Sequence, residues 1–213
     1  MTLCKPHLVF LASLSMLFLF SGCAHTTAQI QKEDLLPIKT ILVLPAEVDT
    51  DTDGQGSRSP NEIQQLEKGR KLIDTMLAEY FSGRKEVTLL TEGQRDSLDK
   101  DMTRCRTTAA VTICRTTKAD AVLLFTLHRF TERVGVEASI VSPASVVFDY
   151  KLIHAETGQT LCSGVFDETQ KPLLDDMFQF FKKLKRGVKW LSAEELARDG
   201  FKQKIADCPY LKK

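Results

Sequence analysis

The stretch SVVFDYKLIHAETGQTLCSGVFD, residues 145–167, decides the fold because it has the pattern of a long β-hairpin. Its first ten residues alternate in polarity: Val146, Phe148, Tyr150 and Leu152 point to one face, and Asp149 and Lys151 point to the other. Residues 155–158, Ala-Glu-Thr-Gly, predict a turn, and residues 160–167 predict the returning strand. One face of this hairpin is apolar enough to cover a core.

The elements before and after the hairpin predict a sheet that is covered by helices. Residues 41–44, 87–90 and 121–130 are short apolar runs typical of buried strands. Helices are predicted at 60–82, 91–100, 107–118, 172–183 and 192–206; the first and last begin with the capping boxes Ser59–Glu62 and Ser192–Glu195. The order β-α-β-α-β-β-β-α-α predicts an α/β (α+β) domain with one mixed sheet of about five strands.

The amino terminus has the pattern of a lipoprotein signal peptide. Residues 8–20 form a 13-residue segment that is nearly all apolar. A membrane-spanning helix needs about 20 such residues, so this length is typical of a secretory signal. Phe20-Ser21-Gly22-Cys23 follows and resembles the bacterial lipobox, with Phe20 at a position where Leu is usual. The alternative is an ordinary signal peptide followed by a chance cysteine.

Cleavage between Gly22 and Cys23 divides the chain into three parts. Residues 1–22 are a removed signal peptide, residues 23–39 are a lipidated cysteine and a polar tether, and residues 40–213 are one globular domain. The expected modification is a diacylglycerol and N-acyl (palmitate-type) lipid on Cys23, and no other cofactor is expected. Residue 24 is Ala rather than the Asp that retains lipoproteins in the inner membrane of enteric bacteria. We therefore expect the inner leaflet of the outer membrane, facing the periplasm.

The charge balance argues against a nucleic-acid partner. Residues 1–22 hold one Lys and no acid, so the 29 basic and 28 acidic side chains of the whole chain become 28 of each in the mature part. Electrostatic binding of nucleic acid needs a clustered excess of Lys and Arg.

Four cysteines remain after Cys4 and Cys23 are set aside: Cys105, Cys114, Cys162 and Cys208. An envelope compartment favours disulfides. We favour a Cys105–Cys114 pair, since a loop of about ten residues closes easily and would stabilise the fold by roughly 2–3 kcal/mol. A Cys162–Cys208 pair then follows by elimination. Four buried free thiols are the alternative.

Two segments are candidate binding sites, and each also has a structural explanation. Asp49, Asp51 and Asp53 alternate along a loop as Ca²⁺ ligands do, but residue 60, where a calcium loop needs a bidentate acid, is Pro. A solvated acidic loop is therefore the favoured interpretation. The second segment combines aromatic and basic residues that suit a partner surface or a membrane interface: Phe178, Phe181, Lys182, Lys183, Lys185 and Trp190. A helix that packs its Phe residues on the sheet while its Lys residues stay in water is the favoured interpretation.

No catalytic motif occurs in the sequence. A G-x-S-x-G elbow, C-x-x-C, H-E-x-x-H and G-x-x-x-x-G-K are all absent. His154 and Cys162 face each other across the predicted hairpin and suggest a thiol–imidazole pair. A disulfide or a packed thiol accounts for Cys162 at least as well, so we expect no enzymatic activity.

Two sets of short motifs resemble known envelope lipoproteins. Ala119-Asp120-Ala121-Val122-Leu123 at a strand start and Glu156-Thr157-Gly158 in a hairpin turn resemble a group that includes the curli-secretion lipoprotein, the Pel-export lipoprotein and the activators of peptidoglycan synthases. The likeness extends over about residues 41–168. Arg133-Val134-Gly135, Ser142-Pro143-Ala144-Ser145-Val146 and Phe166-Asp167-Glu168-Thr169-Gln170 resemble a set of uncharacterised proteobacterial lipoproteins.

The resemblance implies a noncatalytic accessory or assembly component of a cell-envelope or secretion complex, with an envelope protein as partner. The connection 132–144 and the aromatic–basic segment are the candidate partner surfaces. A ligand- or Ca²⁺-sensing module is the second hypothesis, and a thiol-dependent or hydrolytic enzyme is the third.

The lipid anchor predicts the behaviour of one variant. Cys23→Ser removes the acceptor thiol, so the protein should leave the membrane fraction as a soluble form or remain as an uncleaved precursor. Fractionation and intact mass would show this change. Membrane association with an unchanged mature mass would contradict the anchor.

Overall fold

The computed structural model describes residues 35–49, 58–98, 106–136, 139–170 and 191–212. Contacts between residues divide the chain into two units, residues 1–37 and residues 38–213. The architecture below belongs to the second unit. The signal peptide, Cys23, most of the tether and the predicted helix 172–183 lie outside the described residues.

Strand β4 (Ala121–Thr131) is the centre of the sheet because its residues are apolar on both faces. It pairs in parallel with β1 (Ile41–Val43) and with the two-residue β2 (Glu47–Val48). It pairs antiparallel with β7 (Ser145–His154), which in turn pairs with β8 (Thr160–Thr169). With β3 (Val87–Leu89) beside β1, the strand order is β3-β1-β4-β7-β8. The predicted mixed sheet with a long antiparallel hairpin is confirmed.

Helices cover both faces of this sheet. Helix α1 (Pro60–Phe81) and helix α4 (Ala193–Asp207) pack on the face that carries Leu123, Phe125 and Phe148. Helix α3 (Arg106–Thr116) packs on the other face, against Val122 and Leu124, and the seven-residue α2 (Glu92–Leu98) precedes it.

Both predicted capping boxes are present, because Ser59 and Ser192 each exchange two hydrogen bonds with the Glu three residues later. Gly83 follows the end of α1 with a φ of +78°, the left-handed conformation that glycine adopts most readily.

Connection 132–144 is more ordered than the sequence predicts. It contains β5 (Val134–Val136) and β6 (Ser139–Ser142), which pair only with each other among the described strands. They continue the antiparallel β4–β7 ladder beyond the main sheet: Thr131 is opposite Ser145, and Val134 is opposite Ser142. We call the β5–β6 pair the ribbon.

Helix α4 approaches the sheet closely at one glycine. A Cβ on Gly200 would lie 2.7 Å from three carbons of the Phe166 ring. Tyr150 strengthens the same contact because its hydroxyl donates to the Lys204 carbonyl at 2.9 Å. Burial, followed by the nearby Asp207 carboxylate, raises the pKa of this phenol to about 12.

Gly200→Ala tests this packing, and Gly93→Ala is its matched control. An added methyl at Gly200 must displace a buried ring, so the free energy of unfolding should fall by about 1–3 kcal/mol. Gly93 lies in a helix with nothing within 4 Å of its Cβ position, so Ala should leave stability unchanged or raise it by up to about 1 kcal/mol. Chemical denaturation measures both. Equal effects would contradict the packing argument.

Candidate functional site

The cysteines pair differently from the sequence prediction. Cys162 and Cys208 form a disulfide that joins β8 to the end of α4, which confirms the pair reached by elimination. The Cys105–Cys114 pair is wrong, because Cys114 is a buried free thiol. It lies on α3 and packs against the sheet, and the helix rises about 12 Å between residues 106 and 114. A disulfide needs Cα atoms within about 7 Å of each other. The prediction assumed a flexible loop before Cys114, whereas residues 106–114 are helical.

This pairing also excludes the thiol–imidazole pair suggested between Cys162 and His154. Cys162 has no free sulfur, and His154 Nδ1 lies 3.0 Å from the Thr157 hydroxyl within the hairpin turn. Burial is the main cause that raises the pKa of the Cys114 thiol to about 11, with a smaller effect from Asp120. A thiol held protonated in the core is a poor nucleophile.

Asp49, the first residue of the proposed calcium loop, is engaged by a histidine. His128 Nδ1 lies 2.7 Å from Asp49 Oδ2, and its Nε2 lies 2.6 Å from Asp149 Oδ1. A bulge between Leu127 and Arg129 aims this ring at both carboxylates. A neutral imidazole donates from one nitrogen only, so both contacts are hydrogen bonds only when the ring carries two protons. Asp51 and Asp53 lie outside the described residues, so the calcium hypothesis stays a prediction.

A second polar cluster joins α1 to the loop after β1. Arg70 forms ion pairs with Glu67, Asp74 and Glu92. Asp74 also accepts the Ala46 N–H at 2.8 Å, yet burial raises the pKa of its carboxyl above the usual value. Every one of these groups has a partner within the cluster, so we interpret it as a structural brace. Among the described residues, no group of three or more His, Cys, Asp or Glu side chains is arranged to hold a metal ion.

The ribbon exposes apolar side chains at one end of the sheet. Val134 is 56% exposed and Val141 is 80% exposed. Its base is braced by Glu132, whose N–H donates to Gln65 Oε1 at 2.9 Å and whose carboxylate contacts Lys68 Nζ at 3.1 Å. The exposed valines and the braced strand pair that carries them make this end of the sheet a candidate partner surface.

The described residues on either side of 171–190 lie at the base of this ribbon. On one side, the Gln170 N–H donates to the Ala144 carbonyl at 3.0 Å, and on the other side, the Ala193 N–H donates to Glu132 Oε2 at 3.1 Å. The buried side-chain oxygen of Gln170, Oε1, has no hydrogen-bond partner in the part of the chain described. Phe178, Phe181, Lys182, Lys183, Lys185 and Trp190 themselves lie outside the described residues.

The chain enters the sheet at the opposite end, directly after the residues that the sequence predicts as a tether. Asp120 Oδ2, at the start of β4, accepts the N–H groups of Lys39 and Thr40 at 2.8 and 2.9 Å. These bonds, that from Lys39 first, lower the pKa of the Asp120 carboxyl. Strand β4 has 11 residues and therefore spans about 33 Å between this point and the base of the ribbon.

No protein-family model and no curated protein matches the chain. Solved structures do match. The PelC dodecamer from Paraburkholderia phytofirmans is 13% identical, with a TM-score of 0.44 over 82% of this chain and 91% of that chain. The C-terminal domain of LpoB from Salmonella enterica is 17% identical, with a TM-score of 0.38 over 64% and 87%. Lipoprotein GNA1162 from Neisseria meningitidis is 15% identical, with a TM-score of 0.38 over 70% and 92%.

These structures belong to the Pel-export and peptidoglycan-synthase-activator lipoprotein group that the sequence resembles. At these identities, and with TM-scores below 0.5, no residue role, partner or assembly is transferred to this chain. No helix among the described residues is long and apolar enough to cross a membrane.

The buried thiol yields a direct chemical prediction. Cys114 should resist alkylation by iodoacetamide at pH 8 in the folded protein, because burial both shields it and holds it protonated. It should react when the same sample is unfolded in guanidinium. Peptide mass spectrometry locates the label, and rapid labelling of Cys114 in the folded protein would contradict the packing of α3.

Proposed function

We propose that this chain is a noncatalytic accessory component of the bacterial cell envelope, held at the outer membrane by lipid on Cys23, that binds a protein partner through the ribbon end of its domain. The observation that carries the proposal is the ribbon itself. A projection with Val134 and Val141 in water has no role in the core, and apolar groups on a fixed scaffold favour protein association.

The positions of the two ends support the proposed arrangement. The chain enters the domain beside Asp120, and the ribbon begins at the far end of β4, about 33 Å away. A domain that is anchored through residues 23–39 is then able to present the ribbon away from its own attachment point. Gln170 and Ala193, which flank residues 171–190 in the sequence, contact the same end through Ala144 and Glu132.

Tethering makes a modest interface sufficient. Confinement near a membrane raises the effective concentration of the domain for other envelope proteins, so binding needs fewer contacts than it would between free molecules. A modest interface of this kind is compatible with the short strands of the ribbon.

The competing hypotheses have less support. The disulfide of Cys162 removes the nucleophile of the enzymatic hypothesis. In the calcium hypothesis, a cation at Asp49 would compete with the Nδ1 atom of His128, whose Nε2 atom makes a separate contact with Asp149.

A double substitution tests the surface. Val134→Asp with Val141→Asp places two charges where the partner would exclude water, so recovery of the partner after crosslinking in cells should fall by at least about tenfold. Quantitative mass spectrometry of the purified adducts measures it. Val165→Asp is the matched control, since Val165 is a 62% exposed valine on β8 outside the ribbon.

All three valines are exposed, so thermal unfolding should be nearly unchanged in both variants. Equal recovery from the double variant and the control would exclude the ribbon as the binding surface. Charge reversal at Lys182, Lys183 and Lys185 separately measures the contribution of the aromatic–basic segment.

A further inference from the structure

The proposed anchor does not by itself fix the orientation of the domain. Residues 24–39 span up to about 55 Å when fully extended, whereas β4 spans about 33 Å. A tether of that reach allows either end of the sheet to face the membrane. The ribbon points away from the membrane only if a second contact holds the opposite end of the domain against it.

The end of the sheet opposite the ribbon brings together the ends of several elements. Strands β1, β3 and β4 begin there, helices α1, α3 and α4 end there, and the β7–β8 turn lies beside them. The Ile41 N–H donates to the Glu86 carbonyl at 2.8 Å, which joins the residues before β1 and β3. The disulfide from β8 to Cys208 holds the end of α4 nearby. We call this end the entry end, and its residues are 38–40, 82–86, 115–120, 154–159 and 207–212.

Three exposed lysines of the entry end lie just before neighbouring strands. Lys39 precedes β1 by two residues, Lys85 precedes β3 by two, and Lys118 precedes β4 by three. Because β1 lies between β3 and β4 and pairs in parallel with both, the three lysines lie at the same end of the sheet.

A fourth lysine of the entry end comes from the last described residues. Leu211 is buried, and its carbonyl accepts hydrogen bonds from the Tyr80 hydroxyl at 2.9 Å and from Arg84 Nη1 at 3.0 Å. These contacts hold the exposed Lys212 beside the end of α1.

Cations outnumber acids at the entry end. Glu86 Oε1 lies 2.6 Å from Arg84 Nε, and Asp120 accepts backbone N–H groups, so two of the acids have partners within the domain. The charged residues of the entry end are Lys39, Arg84, Lys85, Arg115, Lys118 and Lys212, against Glu86, Asp120, Glu156 and Asp207. This end of the domain therefore carries a net positive charge, which attracts an anionic surface.

Lys118 holds its charge in a backbone conformation that favours glycine. Its φ is +59°, and it follows the end of α3, where the Ala119 N–H donates to the Cys114 carbonyl at 3.1 Å. Glycine is the usual residue at such a helix end, because a Cβ makes the left-handed conformation costly. A lysine at this position lowers stability, which is expected where its charge has a function.

We propose that the entry end docks on an anionic phospholipid surface and so directs the ribbon away from the membrane. The docking residues are Lys39, Lys85, Lys118 and Lys212. The inference rests on the proposed function, because it orients the same anchored domain. Each lysine close to an anionic surface strengthens the contact about fivefold, and the attraction extends over a Debye length of about 8 Å at physiological salt. Four such lysines suffice once the proposed lipid confines the domain near the surface.

Lysine labelling of the mature lipidated protein tests the contact. The protein is reconstituted in vesicles of phosphatidylcholine alone or of phosphatidylcholine with phosphatidylglycerol, and peptide mass spectrometry follows reductive methylation of each lysine. In the anionic vesicles, Lys85 and Lys118 should react at least about tenfold more slowly than in the neutral vesicles. Salt at about 1 M should abolish the difference, because it shortens the Debye length to about 3 Å. Lys68, beside Glu132 at the ribbon end, should react equally in both.

Lys118→Gly separates the membrane contact from a role at the helix end. Cations also stabilise the carboxyl ends of helices, so a purely structural lysine would leave the lipid contact unchanged when replaced. In the proposed role, glycine removes one docking charge and relieves the backbone. The protection of Lys85 in anionic vesicles should then fall about fivefold, while the midpoint of thermal unfolding rises by about 2–4 °C. Lys68→Gln is the matched control and should leave the protection of Lys85 unchanged.

Two results overturn the inference and leave the proposed function standing. One is equal reaction of Lys85 and Lys118 in both kinds of vesicle, and the other is protection of Lys85 that survives Lys118→Gly. The anchor is measured separately, because lipid on Cys23 should make the protein float with neutral vesicles as well. Failure to float with them would overturn the anchor and, with it, this inference.

Discussion

The antiparallel ladder between β4 and β7 is the interaction on which the rest of the structure depends. It joins Ala121–His154 at one end to Thr131–Ser145 at the other, and both strands are buried along most of their length. Because β4 also pairs with β1, the residues that lead into β1 lie beside Asp120, at the start of β4. Because the same ladder continues into β5 and β6, it places the ribbon at the far end. The pairing of β4 with β7 therefore determines which end of the domain receives the chain and which end carries the ribbon.

The bulge in this ladder accounts for the contacts of His128 with two carboxylates. It lies between Leu127 and Arg129 and leaves His128 between Asp49 and Asp149. A regular register would have turned successive side chains to opposite faces and separated these groups. One extra residue thus connects Asp49, at the start of the acidic loop, to Asp149 on β7 through the His128 ring. Asp49 has this partner in the described structure, and Asp51 and Asp53 lie outside the described residues, so the calcium hypothesis stays a prediction.

Sequence patterns predicted the elements that have long periods or explicit end signals. The alternation of residues 145–154 and the boxes at Ser59 and Ser192 fixed their strand and helices to within a residue or two. The ribbon was expected as a plain connection, since three- and four-residue strands beside Gly135 and Pro143 have too little pattern to detect. The Cys105–Cys114 prediction was wrong because it assumed a short flexible loop before Cys114, whereas Cys114 lies on helix α3. The connection 132–144 was named as a candidate surface, but its place beyond the end of β4 could not be predicted, because it depends on strand pairing and on the contacts of Glu132.

The proposed partner surface depends on the proposed anchor for its specificity. Val134 and Val141 expose only a small apolar area, and single exposed apolar residues are common on protein surfaces. A lipid on Cys23 would confine the domain near one membrane, where effective concentration would let a small interface suffice. The same contact between proteins free in solution would need a larger and better covered interface.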